Sequence, residues 1–259
     1  MPTKEASKNR TRRSPKPSPL RIYRPRVHYD APTYAGKVVL INGASRGIGL
    51  ETALNFVRAG ASLAIIAHKQ EVLHSTRDEI LRERPSAQIH IFPADVRDVE
   101  KAEESVAATT AHFGHLDIQA GFGVAQLSQV STKPIFEVKR TYNFIHFAVP
   151  ELLKTNGRIV VVNSSASRIR VPFSSDYCTS KHASLCGVCL HRIHPGTIAT
   201  DLTVAFEGYT SRDEDTPALP AATILYATSG KADYLSGRYI GATWNLGEVE
   251  RDSSAVAME

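Results

Sequence analysis

Cysteine, tryptophan and long apolar stretches are all scarce in this sequence of 259 residues. Its 3 cysteines are an odd number with no disulfide framework, which suits a reducing compartment. No apolar run reaches the length that a membrane-spanning helix needs, so we expect the body of the protein to be soluble and cytoplasmic. The length suits one sizeable core, because α/β folds of this size are often single domains.

Acidic residues are almost absent from the N-terminal segment. Residues 1–29 hold nine Lys and Arg against the single acid Glu5, a charge of +8; because the whole chain is +5, the other 230 residues are net −3. We predict that residues 1–34 form a disordered basic tail and residues 35–259 a single domain. The tail could be a solvated extension, an arm for an anionic surface, or a mitochondrial import signal; it indicates no clear nucleic-acid or membrane partner.

After the tail, short β-rich runs alternate with segments that have helical spacing of apolar residues. The predicted strands are Lys37–Asn42, Ser62–Ala67, Gln88–Phe92 and Arg158–Val162, and the predicted helices between the first ones are Ile48–Ala59, Gln70–Arg84 and Val99–Phe113. This alternation predicts a doubly wound parallel sheet with helices on both faces, a three-layer α/β/α fold.

The C-terminal half gives further elements. We predict a helix at Thr141–Lys154 that Pro150 kinks or ends, a late helix at Leu219–Ser229 and a last strand at Arg238–Trp244. Residues 202–217, rich in Gly, Thr, Ser and acids, are predicted to be a lid over the substrate, although an ordinary surface loop explains their composition equally well.

A glycine-rich turn, NGASRGIG, lies between the first strand and the first helix. Gly43 permits the tight turn, Gly47 lets a phosphate approach the backbone, and Gly49 lets helix and strand pack closely. Because free N–H groups at the helix N-terminus face the turn, this placement predicts a site for a dinucleotide pyrophosphate.

The end of the second strand indicates which dinucleotide. It reads Ala67-His68-Lys69, without the carboxylate that would bond the adenosine ribose of NAD. Arg46 and Lys69 could instead face a 2′-phosphate, so NADP is predicted over NAD, although both cations could equally be solvent-exposed. Asp95, after the third strand, could reach the adenine edge or simply cap a helix.

Three side chains predict acid–base chemistry. Tyr177 and Lys181 are four residues apart, so on a helix both face the same way. A phenol has a pKa of about 10, and a nearby ammonium lowers it by stabilising the phenolate. Ser164, at the end of the predicted strand Arg158–Val162, could bond a substrate oxygen as charge builds there.

The glycine-rich turn is followed along the chain by Ser164, Tyr177 and Lys181. Motifs in this order resemble those of the short-chain dehydrogenase/reductase superfamily, and the resemblance covers roughly Ala35 to Leu246. The resemblance implies a Rossmann-type fold, with Tyr177 as acid/base, Lys181 holding the cofactor ribose and Ser164 orienting the carbonyl. It implies a cofactor site that the segments NGASRGIG, PADV and HPGTIATDL contribute to, at Gly43, Ser45, Arg46, Gly47, Ile48, Gly49, His68, Lys69, Asp95, Val96, Tyr177, Lys181, Pro195, Gly196 and Thr200.

The chain departs from the family's pattern at three places. The family usually has Asn-Asn-Ala-Gly after the fourth strand, whereas here Ile118 leads straight to Gln119-Ala120-Gly121. An asparagine of the family's fourth helix has no counterpart, and Asn143 is not in its register. Only thirteen residues separate Lys181 from Pro195, which leaves little room to end a helix and build a sixth strand.

The segment after Lys181 also has a metal-binding alternative. Cys186, Cys189, His191 and His194 are enough ligands for tetrahedral zinc, but one residue separates the two pairs, too little for four side chains to converge easily. We therefore predict no metal.

The sequence thus predicts an NADP(H)-dependent oxidoreductase for a small carbonyl or secondary alcohol substrate, with homo-oligomerisation left open. The alternative is a dinucleotide-binding relative, a truncated isoform or degenerate paralogue, with little or no activity.

Overall fold

The computed structural model describes residues 34–122, 135–169, 175–183, 190–198 and 215–256. Nearly all of the predicted tail and most of the predicted lid lie outside these ranges, as do Thr200, Cys186 and Cys189. No helix within the described ranges is both long and apolar enough to cross a membrane.

Strands and helices alternate along the described chain. The strands are β1 (Val38–Asn42), β2 (Ser62–Ala67), β3 (Ile89–Pro93), β4 (Ile118–Gly121), β5 (Arg158–Val162), β6 (Leu190–His194) and β7 (Tyr239–Gly241). The helices are α1 (Gly47–Arg58), α2 (Gln70–Glu83), α3 (Val99–Phe113), α4 (Ile135–Thr155), α5 (Ser175–Ala183), α6 (Ala218–Thr228) and α7 (Leu246–Val256). The strands form one parallel sheet in the order β3-β2-β1-β4-β5-β6-β7, which confirms the predicted fold class.

Two apolar layers cover the sheet because successive side chains of a strand point to opposite faces. In β1, Val39 and Ile41 pack toward α1 and α6, where Phe56 and Ile224 are fully buried. Val38 and Leu40 belong to the opposite layer, with Phe144 and Leu152 of α4. Both layers thus contain fully buried side chains, as a doubly wound sheet requires.

The folded domain includes Tyr34, which we had assigned to the tail. Its ring is 3% exposed and packs edge-on against Phe56, with the ring centroids 5.1 Å apart. Its hydroxyl donates to the Leu225 carbonyl oxygen at 2.5 Å and lies 2.7 Å from Thr228 Oγ1. Tyr34 therefore joins the start of the domain to α6.

Of the two alternatives predicted for Pro150, a kink or an end of the helix, the second is wrong. α4 begins six residues earlier than predicted and runs through Pro150 to Thr155. A proline inside a helix costs about 3 kcal/mol, because it removes one backbone hydrogen bond and crowds the preceding turn. Phe144, Ala148 and Leu152 bury the inner face of the helix on both sides of the proline, and this packing offsets the cost.

The last strand is shorter than predicted. β7 spans only Tyr239–Gly241, because the chain turns at Gly241, where the Trp244 amide donates to the Gly241 carbonyl oxygen at 3.0 Å. The Trp244 indole fills the space that a side chain at Gly241 would take. The strand β7 therefore ends at Gly241, against the Trp244 indole.

Candidate active site

The parallel sheet brings the predicted site segments to one edge. The turn after β1, His68 after β2, Asp95 after β3, Ser164 after β5 and Pro195 after β6 all follow carboxyl ends of strands. The chain leaves β1 toward β2 on one side, and later returns to place β4 on its other side. Ligands of doubly wound sheets bind at this kind of switch point, so the edge is the candidate site.

The glycine turn has the backbone conformation that its composition predicts. Gly43 has φ +89° and Gly47 φ +56°, values that side-chain-bearing residues rarely adopt. A Cβ at Gly43 would lie 3.1 Å from Phe122 Cβ, and one at Gly49 would collide with the Gly43 carbonyl oxygen. The turn therefore keeps backbone exposed where any larger residue would fill it.

The N-terminus of α1 is open to an anion. No side chain caps it, and its first turn contains no acidic residue. The first N–H groups of a helix and its dipole attract negative charge, so this end fits the pyrophosphate of a dinucleotide. Ser45 is half-buried in the turn and Arg46 is exposed, while Ile48 packs its side chain against the core.

Charged residues gather beside the ends of β2 and β3. His68 Nε2 lies 3.9 Å from Asp95 Oδ2, and Lys69 is exposed. Arg97 binds both carboxylate oxygens of Asp95 through Nε, at 2.9 and 2.8 Å, and holds the pKa of Asp95 down at about 2. Asp95 is therefore an ionised carboxylate whose charge is paired with that of Arg97. Its contact with adenine stays a prediction.

The cap of the next helix lies nearby. Asp98, not Asp95, caps α3 by accepting from the Lys101 amide at 3.1 Å. Val96, between them, is half-buried against the α3–α4 layer of the core. The helix-cap alternative for Asp95 is therefore wrong.

The predicted acid–base residues meet at the end of β5. The Tyr177 side chain is hydrogen-bonded to the Ser164 side chain. Lys181 is 8% exposed, lies one turn along α5, and has its Nζ 5.7 Å from the centroid of the Tyr177 ring. The structure therefore brings Ser164, Tyr177 and Lys181 together.

Asn163 fixes this arrangement and is missing from the sequence-based prediction. Its Nδ2 donates to the Lys181 carbonyl oxygen at 3.3 Å, and its Oδ1 accepts from the Ser164 amide at 2.7 Å. Lys181 Nζ in turn donates to the Val162 carbonyl oxygen at 3.0 Å. An asparagine next to the serine is the signal in the sequence, but its two partners become visible only once β5 and α5 are packed.

The pKa of Tyr177 shifts in the direction opposite to the prediction. Burial of the phenol raises it above 10, the hydrogen bond from Ser164 lowers it by less, and the neighbouring Cys178 adds a small increase. The ammonium of Lys181 points at the Val162 carbonyl oxygen and does not reverse the shift. In the protein alone, Tyr177 is thus a protonated group across the neutral range.

The loop after β6 is held by an acid of the predicted lid. Gly196 has φ +91°, and the Asp215 carboxylate fills the space where its side chain would be. Asp215 Oδ2 accepts from the Thr197 amide at 2.8 Å, and the Asp215 amide donates to the Thr197 carbonyl oxygen at 2.7 Å. Composition gave no reason to separate Asp215 from the other acids of the lid.

The two described histidines of the metal alternative do not face each other. His191 and His194 are three residues apart on β6, so they lie on opposite faces of the sheet. His194 Nδ1 accepts from the Ser165 amide at 3.3 Å, while His191 Nδ1 is buried without a partner in the described ranges. Within those ranges no cluster of three or more His, Cys, Asp or Glu could hold a metal ion.

The sheet contains a complete fourth strand despite the shortened sequence after Ile118. Gln119-Ala120-Gly121 do not follow the fourth strand but form it, paired with β1 and β5. Gln119 Nε2 donates to Asn42 Oδ1 at 2.9 Å, whereas its Oε1 is buried with no partner among the described residues. The connection after Lys181 leads likewise to a complete parallel β6, although residues 184–189 lie outside the described ranges.

Comparisons with known proteins identify the fold and the family. A model of the short chain dehydrogenase family matches residues 37–207. The chain is 33% identical to "Short chain dehydrogenase mpl6" of Monascus purpureus over 244 residues, 83% of each protein. It is also 33% identical to "11-beta-hydroxysteroid dehydrogenase-like 3" of Arabidopsis thaliana over 201 residues, 70% of this chain but 64% of that protein.

Solved structures share the fold at lower identity. A dehydrogenase/reductase from Sinorhizobium meliloti 1021 superposes with a TM-score of 0.71 at 21% identity, covering 82% of this chain and 96% of that one. A short-chain type dehydrogenase/reductase from Mycobacterium ulcerans gives 0.72 at 20% identity, covering 80% and 88%. With the family match and the sheet order, these results confirm the resemblance: the chain belongs to the short-chain dehydrogenase family of oxidoreductases, whose fold implies a nicotinamide dinucleotide cofactor.

Proposed function

We propose that the protein is an NADP(H)-dependent oxidoreductase that interconverts a carbonyl compound and a secondary alcohol. The observation that carries the proposal is the hydrogen bond between Tyr177 and Ser164, one helical turn from the buried Lys181. Two adjacent hydroxyls can bind one substrate oxygen, and one of them can exchange a proton with it. When bound, the nicotinamide supplies or accepts the hydride.

Each residue has a defined task in this proposal. Tyr177 gives its phenolic proton to the substrate oxygen during reduction and takes it back during oxidation. Ser164 donates a hydrogen bond to the same oxygen and so places the carbonyl carbon. Lys181 holds the cofactor ribose, as the family resemblance implies, and its buried positive charge stabilises a phenolate when one forms.

The raised pKa of Tyr177 affects reduction and oxidation of the substrate differently. A phenol that stays protonated is ready to donate, so reduction should need no alkaline medium. Oxidation needs the deprotonated form and should accelerate as the pH rises. We therefore expect kcat/KM for reduction to be flat across neutral pH, and kcat/KM for oxidation to increase toward pH of about 10.

The preference for NADP rests on local charge. Lys69 and Arg46 are exposed near the expected ribose position. Asp95, the carboxylate beside His68, is already ion-paired with Arg97. A 2′-phosphate would gain charge-assisted hydrogen bonds there, whereas the NAD ribose would find no free carboxylate among these residues.

Replacement of Tyr177 tests the proposal. Tyr177→Phe keeps the ring and removes the proton, so we expect turnover to fall by about 100-fold or more while NADPH affinity is retained. Tyr142→Phe, at a tyrosine that is 60% exposed on α4, is the matched control and should change neither. Unchanged turnover in Tyr177→Phe would refute the role of Tyr177, and NADPH binding without consumption by the wild type would indicate a binding protein instead.

A further inference from the structure

A cluster next to the candidate acid–base residues is not used by the proposed chemistry. Ser164 caps a short 3-10 turn, Ser165–Ser167, and Arg168 ends it. The guanidinium carbon of Arg168 lies 5.3 Å from the centroid of the Tyr239 ring, at the edge of the sheet. Arg168 is exposed, and no carboxylate in the described ranges pairs with it.

The Tyr239 ring is fixed from two other sides. It stacks on the His194 ring, with centroids 6.3 Å apart and an interplanar angle of 15°. Trp244 meets it edge-on at 6.3 Å and is itself 42% exposed. His194 is bound in turn by the Ser165 amide, at 3.3 Å from Nδ1. The Arg168 guanidinium therefore lies over the Tyr239 ring, and that ring stacks on His194, which the Ser165 amide binds.

The cluster is close to the reacting groups. Four residues of a 3-10 turn advance by about 8 Å, which is the approximate separation of Ser164 and Arg168 along the chain. Tyr177 is near enough to Tyr239 that its charge contributes to raising the pKa of Tyr239. A molecule whose carbonyl oxygen sits at Tyr177 and Ser164 can thus reach Arg168 with a short spacer.

Arg168 is poorly placed for the cofactor phosphates. The glycine turn follows β1, whereas Arg168 follows β5, two strands away in the sheet. Neighbouring strands are about 4.8 Å apart, so some 10 Å separates the two sites laterally. Asp215, a described acid of the loop after β6, accepts from the Thr197 amide through its Oδ2.

From this geometry we propose that Arg168, held on the Tyr239 ring, binds a carboxylate of the substrate, so that the preferred substrates are oxo acids and the corresponding hydroxy acids. The proposal rests on the proposed oxidoreductase function. A guanidinium is planar and presents paired N–H groups that match a carboxylate, and stacking on an aromatic ring holds it in place before the ligand arrives.

The test compares an acid with its neutral ester. Reduction of 4-acetylbenzoate and of methyl 4-acetylbenzoate, two ketones that give secondary alcohols, is followed at saturating NADPH, or NADH if that is the cofactor used. We expect the wild type to prefer the acid, and Arg168→Gln to lose about 10- to 100-fold in kcat/KM for the acid while the ester changes little. The preference should also weaken at high salt, because the guanidinium is exposed.

Three variants serve as controls. Arg82→Gln removes the same charge from the exposed end of α2 and should leave both substrates unaffected. Tyr239→Phe keeps the ring under Arg168 and should retain the preference, whereas Tyr239→Leu removes the ring and should reduce it. Melting temperatures establish that each variant is folded.

The outcomes separate the two proposals. Consumption of the ester but no preference for the acid, or equal losses for both substrates in Arg168→Gln, would overturn the carboxylate site and leave the oxidoreductase intact. Consumption of neither substrate, nor of any wider panel of aldehydes and ketones, would overturn the oxidoreductase and the carboxylate site with it.

Discussion

The cofactor side and the catalytic side of the candidate site are built from different parts of the chain. After β1, the turn works through backbone: glycines with positive φ and the uncapped N-terminus of α1. After β5, the site consists of side chains: Lys181 and Asn163 are buried, and Tyr177 is half-buried. The cofactor side has no room for Cβ atoms, whereas the catalytic side depends on particular functional groups.

Cofactor binding and acid–base chemistry should therefore be lost through different substitutions. A phosphate site made of backbone N–H groups is lost when a side chain intrudes, without any effect on a phenol two strands away. An acid–base site is lost when one functional group is removed, although the cofactor still binds. Lys181 is the residue that the family resemblance assigns to both sides, because it would hold the cofactor ribose as well as act on Tyr177.

The largest effect in this set is expected on the catalytic side. Lys181→Met keeps the aliphatic stem but removes the ammonium that lies 5.7 Å from the Tyr177 ring centroid, so we expect turnover to fall by about 100-fold. Because Lys181 acts through Tyr177, the pH dependence of oxidation should also move to higher pH. Lys231→Met, at an exposed lysine, is the control; an unshifted pH profile in Lys181→Met would contradict the role.

The next effect is expected on the cofactor side. The Cβ of an alanine at Gly49 would collide with the carbonyl oxygen and carbon of Gly43, and both of these are backbone atoms that would have to move. Overpacking of this kind costs about 1–3 kcal/mol, so we expect NADPH affinity to drop by at least about tenfold. Gly36→Ala is the control, because Gly36 has φ +73° but open space around it; if it weakens NADPH binding as much, the steric explanation fails.

A smaller effect separates the two cofactors. Lys69→Glu places a carboxylate at the end of β2, where it would repel a 2′-phosphate and accept from a ribose hydroxyl. We expect the ratio of NADPH to NADH affinity to fall by about tenfold, measured by titration of both. The exposed Lys154, on α4, provides Lys154→Glu as the matched change. A ratio that does not move would contradict the assignment of Lys69.

The smallest effect concerns stability alone. Tyr34→Phe removes a buried hydrogen bond to Leu225, and we expect the free energy of unfolding at pH 7 to drop by about 1 kcal/mol. Burial also raises the pKa of Tyr34 far above 10, so its contribution is complete below pH 10 and is lost as the pH rises beyond that value. Urea unfolding should therefore show a steeper alkaline loss in the wild type than in the variant; parallel profiles would contradict this.

Local patterns made the strands and the glycine turn predictable. β2 and β5 have the predicted bounds, and β1 and β3 differ by one residue, because short apolar runs between turn residues define buried strands. The positive φ of Gly43 follows from a sharp turn between strand and helix. Motif spacing likewise placed Tyr177 and Lys181 on one helix.

Contacts between distant segments were not predictable. Gln119 entered β4 because pairing with β1 and β5 decides the register of a short strand, which spacing along the chain does not reveal. Asp215 contacts Thr197, 18 positions away along the chain, although the composition of the predicted lid did not single out this acid. The pKa of Tyr177 depended on how deeply α5 buries the phenol, a quantity that the Tyr–Lys spacing does not contain.

The most direct test of the account is one paired measurement on wild-type protein and Tyr177→Phe: thermal stabilisation by NADPH, and NADPH consumption with a carbonyl panel. A ligand at about 100 times its Kd stabilises a fold by about 2.7 kcal/mol, so binding is readily seen. We expect NADPH to stabilise both proteins equally and only the wild type to consume it. Consumption that survives in Tyr177→Phe, or a wild type that NADPH does not stabilise, would contradict it.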